Sequence, residues 1–359
     1  MVKKMPITVG IVGAAKNTGK TTTTVALLRA FKRKKLKIGL TSIGYDGELY
    51  DNITGLSKPE ILVPHGALVA TASDCLSSSK AQITPLTRLG IFTPLGEIVC
   101  GQVVSEGRML IAGPNQRNHL KKVKEWFIDH DAQIMLIDGA LNRLSPMVET
   151  DGIVLAIGAS YSRNIKKIAE DVMYFESIFS QPLLSQETPD FGSFRESVIL
   201  SETGLVLEKY PAYLHNIDDV GSLKIHIANA EYFYCPGVIT LQCLRVLADT
   251  VFPEGMKFIF NDPVQLILSG EINYVGNAIR KIISKGGIIQ YRRMLPLISV
   301  TISPFYTAQH PEDSSFTPAF IDKNKLIEEL NKLIKTEIYD VVEQGGEKLA
   351  EKIENLIKD

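Results

Sequence analysis

The segment IVGAAKNTGKTTTT, residues 11–24, gathers the residues best suited to chemistry. Holding a nucleoside triphosphate with Mg²⁺ takes three things. Small residues let backbone N–H groups turn toward phosphate, a lysine reaches the β- and γ-phosphates, and a neighbouring hydroxyl ligates the metal. Gly19, Lys20 and Thr21 complete the end of the G-x-x-x-x-G-K-[ST] pattern. The phosphate-contacting run is therefore read as Gly13, Ala14, Ala15, Lys16, Asn17, Thr18, Gly19, Lys20, Thr21 and Thr22. One departure stands out: the first glycine of the pattern falls on Ala14, and Gly13 sits one residue early. The bland alternative is a glycine-rich strand-to-helix turn that binds nothing.

Triphosphate chemistry also needs carboxylates to hold Mg²⁺ through its waters and to orient an attacking water. Asp138 closes QIMLIDGA, an apolar run followed by an acid, the Walker B form. Asp46 follows a second strand in TSIGYDGE, with Glu48 close by. Lys20, Asp46 and Asp138 are the expected catalytic residues, and Thr21, Asp46 and Asp138 the expected metal ligands. Strand-end capping and ordinary loop acidity are the alternatives for the two aspartates. Asp151 opens DGIVLAIGA at the wrong end for ligand contact and is read as a cap or turn. Gly158, Ala159 and Ser160 fall at the right end. Asn261 and Asp262 close KFIFNDP, where they either read a base or turn the chain before Pro263.

The elements that must position these residues read as α/β. Ile7–Val12 is a continuous apolar run suited to a strand buried on both faces. Thr21–Lys34 carries apolar residues at helical spacing, and KIGLTSI supplies the next strand. This βαβ opening predicts a mainly parallel sheet flanked by helices, with right-handed crossovers. Residues 54–113 change texture into short apolar runs with a Pro-Leu-Gly hairpin signal, read as an antiparallel β insertion. Helices are expected over 116–130 and 163–180. Residues 183–235, with SVILSETGLVLE and SLKIHIA, are read as a second excursion or small subdomain. Strand and helix alternate again over 237–302, HPEDSSFTP is read as a loop, and two charged helices close the chain. The expected organisation is one P-loop NTPase domain over residues 1–359.

Composition narrows the classes. The chain has 359 residues, 45% hydrophobic and 22% charged, with a formal net charge of −1. That balance gives no bulk attraction to nucleic acid or acidic lipid, so neither is an expected partner. Cys75, Cys100, Cys235 and Cys243 form no C-x-x-C pair and are read as reduced packing residues of a cytoplasmic protein. MVKKMPITVGIVGA resembles a signal peptide only superficially and is read as the first strand. No stretch approaches ~18 uninterrupted apolar residues, so no membrane span is expected. The six histidines show no metal-binding spacing. Tyr232, Phe233 and Tyr234 are read as core.

The loop invites comparison with the deviant Walker loops of SIMIBI NTPases, whose extra lysine lies five residues before the loop lysine. Here that place holds Ala15, and Lys16 comes one residue late. Lys16 is thus an alternative source of charge on phosphate, in cis or across a homodimer. The blocks GAAKNTGKTTT, GLTSIGYDGELYDNITGLSKPEI and GALVATA, with IDGALNR and DGIVLAIGAS after them, resemble the lysine 5,6-aminomutase reactivase ATPase family over residues 7–160. The resemblance implies an ATPase that drives exchange of damaged cobalamin on an adenosylcobalamin-dependent aminomutase. The mutase and a second reactivase subunit would be its partners, and ATP and Mg²⁺ its cofactors. Two alternatives stay open: an ATP-dependent small-molecule kinase or synthetase of the dethiobiotin synthetase type, and a non-hydrolysing regulatory protein. No N-K-x-D segment that reads guanine is evident, which leaves ATP and GTP both open.

Overall fold

Ile7–Gly13 is buried at every position, as its unbroken apolar run requires of a central parallel strand. The computed structural model describes residues 5–44, 60–185, 189–221, 229–309 and 316–356. Contacts divide the chain into two compact units, Met1–Ile168 with Leu297–Asp359, and Ala169–Pro296.

The first unit is an α/β layer structure. Its nine-stranded sheet runs in the order Ile338–Tyr339, Leu297–Ser303, Gly152–Gly158, Ile7–Gly13, Ile134–Ala140, Ile38–Ser42, Leu68–Ala72, Gly96–Ser105, Gln82–Thr93. Neighbours are parallel as far as Leu68–Ala72, and the last two strands join antiparallel. Helices cover both faces. The helix Lys20–Arg33 buries Leu27, Leu28, Ala30 and Phe31, which pack with Ile134 and Leu136. The helix Arg117–Asp129 buries Val123, Trp126 and Phe127, which pack with Met135. Alternate residues of one strand therefore feed opposite layers.

The antiparallel strands expected within 54–113 are Gln82–Thr93 and Gly96–Ser105, which turn at Pro94 and Leu95. They extend the edge of the main sheet. Leu68–Ala72, in the same stretch, is a parallel member of that sheet beside Ile38–Ser42. Its five buried residues show why: it is covered on both faces, which an apolar run records but a strand direction does not.

The second unit carries its own five-stranded sheet, ordered Val206–Tyr210, Ser197–Leu200, Tyr232–Cys235, Lys257–Phe260, Ile288–Tyr291. Its last three strands are parallel and alternate with helices that include Leu241–Asp249 and Ile272–Ser284. The unit is wider than the stretch 183–235, because the later strand–helix alternation pairs onto the same sheet. The SLKIHIA run lies outside the described residues. HPEDSSFTP is not wholly loop: Phe316–Phe320 pairs antiparallel with Phe305–Gln309, since its β-prone residues find a partner strand. All four cysteines are free and buried. Among the described residues, no helix is long and apolar enough to cross a membrane.

Candidate functional site

The glycine loop leaves the carboxyl end of Ile7–Gly13 and enters the helix Lys20–Arg33. Its shape explains the unusual pattern. Ala14 is not among the residues with positive φ, so its Cβ costs nothing there. Left-handed backbone is needed instead at Asn17 (φ 61) and Gly19 (φ 88). Asparagine is one of the few residues that tolerates this region, and glycine enters it freely. Gly13 is the tight position: a Cβ there would lie 3.3 Å from the Ala15 carbonyl oxygen and 3.3 Å from Thr18 Oγ1. The glycine therefore sits one place earlier than the pattern asks, where the loop comes back close to the strand end.

Two loop residues shape the turn without lining the cavity it borders. The Ala14 N–H donates to the Ala156 carbonyl across the sheet at 2.9 Å. Thr18 is buried and its hydroxyl donates to the Ala15 carbonyl at 2.9 Å. Gly13, Ala15, Lys16, Asn17, Gly19, Lys20, Thr21 and Thr22 face the cavity. The helix begins at Lys20 with no side-chain cap. Its first-turn N–H groups thus have no intrahelical acceptor and add the positive end of the helix dipole to the site. Behind them, Thr23 Oγ1 lies 2.9 Å from Thr301 Oγ1, which ties the helix start to a neighbouring strand.

Asp138 comes from the adjacent strand, in register with Ile11 on one side and Ser42 on the other. Its Oδ2 lies 3.1 Å from Lys20 Nζ. The residue is only 8% exposed, and its Oδ1 is buried with no hydrogen-bond partner. Burial pushes the Asp138 carboxyl up, against the opposing pull of the Lys20 ammonium. A carboxylate oxygen kept out of water without a donor is costly, and such atoms concentrate where an ion or reactive group is to be held.

These residues open on a cavity of about 490 Å³, within the usual range for a small-molecule site. The sheet order gives it two ends. Ile43, Gly44, Ile61, Leu110, Ile111 and Arg143 lie toward the Ile38–Ser42 side of the loop. Ser303, Phe305 and Val342 lie toward the opposite side. The described wall carries Lys16, Lys20 and Arg143 against the single acid Asp138, a balance that favours an anion.

Of the expected residues, the structure brings Lys20, Thr21 and Asp138 to one cavity. Asp46 and Glu48 lie outside the described residues. Asp151 accepts the Thr8 N–H at 2.7 Å, the expected local tie at the amino end. Asn261 belongs to a network in the second unit: its Oδ1 accepts from Tyr234 and Arg292, while Asp262 caps Pro263–Ile267. Tyr232, Phe233 and Tyr234 are buried there as core. Arg143, Ser303, Phe305 and Val342 were not singled out by the sequence. Arg143 alone left a local signal, five residues past Asp138 in IDGALNR.

No known family model matches the chain, and no curated protein matches it. Among solved structures it is similar to the signal recognition particle receptor FtsY from Elizabethkingia anophelis, at 12% sequence identity and a TM-score of 0.24. That comparison covers 91% of this chain and 66% of the receptor, so the chain spans just under two thirds of the receptor's length. A likeness at this level assigns no role.

Proposed function

We propose that the first unit binds ATP with Mg²⁺ and hydrolyses it. The observation that carries this is the pairing of Lys20 with a buried Asp138 whose second oxygen has no partner, set at the uncapped start of a helix after a left-handed glycine. The donor set fits the group. First-turn N–H groups and Lys20 suit the β- and γ-phosphates, and Thr21 with Asp138 suits a hydrated divalent cation. Asp46 keeps its place as a proposed further ligand. Bound Mg²⁺ would supply charge neutralisation on the terminal phosphates. The chain's own part is to orient the triphosphate on fixed N–H dipoles, to move Lys20 from Asp138 onto phosphate, and to leave Asp138 free to order water.

The finer proposal is a reactivase ATPase subunit for an adenosylcobalamin-dependent lysine 5,6-aminomutase. It is supported by the AKNTGKTT and TSIGYDGE blocks. In it, the nucleotide state biases a two-state element that acts on the mutase, with a second reactivase subunit as partner. The test is to add the mutase and cobalamin to the purified chain and follow phosphate release and cofactor exchange. A rise in turnover on mutase addition supports the proposal, and an unchanged rate counts against it. A second proposal, an ATP-dependent kinase or synthetase, is favoured by the apolar wall of Ile61, Leu110 and Ile111 beside the reactive end. It predicts turnover only when a small metabolite is supplied.

A further inference from the structure

We propose that Arg143 is a catalytic arginine supplied in cis, whose guanidinium contacts the terminal phosphoryl group of the bound nucleotide. This rests on the nucleotide proposal for the same cavity and adds a residue that no motif assigned. Arg143 ends the short 3₁₀ turn Leu141–Arg143, directly after the strand that carries Asp138. It lines the cavity at the Gly44 end, on the Asp138 side of the loop.

Its side chain runs close past Gly44. Gly44 has φ +63, and a Cβ there would lie 3.0 Å from Arg143 Nη1 and 3.6 Å from Arg143 Cδ. The bare backbone of Gly44 thus lets the guanidinium pass close over the end of the second strand. Gly44 is itself held, with its N–H donating to the Pro114 carbonyl at 3.2 Å. Ser42, in register with Asp138, sits two residues before it. Lys20 and Arg143 therefore line the same cavity from different elements.

Chemistry selects arginine for such a place. Hydrolysis joins a water oxygen to the γ-phosphorus and breaks the bond to the β–γ bridging oxygen. ADP leaves with that electron pair, and inorganic phosphate and a proton go to solvent. Charge shifts over the phosphoryl oxygens during this step. A planar guanidinium can donate two parallel hydrogen bonds to them, which a lysine cannot.

The test uses the full chain with Mg²⁺, as wild type, Arg143→Ala and Arg143→Lys. Three readouts are needed: ADP and ATP affinity, single-turnover hydrolysis, and trapping of ADP with aluminium fluoride, a mimic of the transferring phosphoryl group. The expected result is ADP affinity within about threefold of wild type in both variants. Hydrolysis falls ~10³-fold, the scale of an arginine contact to a transferring phosphoryl group. The aluminium fluoride complex is lost in both, since lysine lacks the fork. Hydrolysis within tenfold of wild type, or retained trapping, overturns the proposal. So does a loss of ADP affinity equal to the loss of turnover, which would make Arg143 a general support of the cavity. If the alanine chain fails to fold, the lysine variant decides on the same criteria. A wild-type chain that binds neither ATP nor ADP refutes the nucleotide proposal itself, a result separate from any on Arg143.

Discussion

Replacing Asp138 with asparagine should stabilise the nucleotide-free protein at pH 7 while it removes hydrolysis. The wild-type carboxylate is buried, and one of its oxygens has no partner. Leaving a buried polar atom unsatisfied costs ~1–3 kcal/mol. The Lys20 side chain is 27% exposed, so the ion pair is partly screened and returns only ~1 kcal/mol. The net gain for Asp138→Asn is then ~0–2 kcal/mol, or up to a few degrees in Tm for a unit of this size. The dependence on pH has a definite sign. Burial raises the folded carboxyl above its ordinary value of 3.8, so the folded chain holds that proton more tightly than the unfolded chain. Stability from this group is full below 3.8 and is lost as pH rises through the folded value. Asparagine has no proton to lose, so its advantage grows across that window and shrinks toward zero near pH 3.8. Thermal unfolding of both proteins without nucleotide, stepped from pH 4 to 8, measures it. An asparagine variant less stable than wild type at pH 7 would show that Lys20 attraction outweighs burial, and the picture of a carboxylate held against its own solvation would fail.

Other outcomes follow from the same geometry. Gly19→Ala places a Cβ at φ +88 and 3.2 Å from Ser303 Cβ, so it should cost ~1–2 kcal/mol in chemical denaturation and weaken nucleotide binding. Asn17→Gly, at φ 61, should stay within ~0.5 kcal/mol of wild type, and a larger loss would mean the asparagine side chain holds the loop. Burial pushes the Cys100 thiol up to about 12 and the Cys235 thiol up to about 11. Both should resist a thiol-reactive dye at pH 8 until the protein is unfolded, and rapid native labelling would contradict their burial.

Much of the site was legible because its parts are local. The buried strand Ile7–Gly13, the loop and the helix starting at Lys20 lie within one short segment, and the change from unbroken apolar residues to helical spacing marks the join. Asp138 was legible for the same reason, as an acid closing an apolar strand. The rest of the wall was not. Ser303, Phe305 and Val342 reach the cavity only because Leu297–Ser303 and the two-residue strand Ile338–Tyr339 join the far side of the sheet. Periodicity carries no information on strand order, and two residues carry no periodicity. Ala14 shows the limit of a motif read by spacing. The pattern asks for glycine there, but the backbone favours glycine at Gly13, where a Cβ would be tight at 3.3 Å, and at Gly19, for its left-handed turn. The breadth of the second unit was missed because its first strands pair antiparallel and its later ones parallel, in a single sheet.

The most direct test is equilibrium binding of ATP with Mg²⁺ to the wild-type chain and to Lys20→Ala. Lysine donates a charge-assisted bond to phosphate, so its loss should lower ATP affinity at least ~10²-fold and abolish hydrolysis. ATP should raise the Tm of the wild type and leave that of the variant unchanged. Equal ATP affinity and equal turnover in the two proteins would mean that the loop from Gly13 to Thr22 does not hold phosphate.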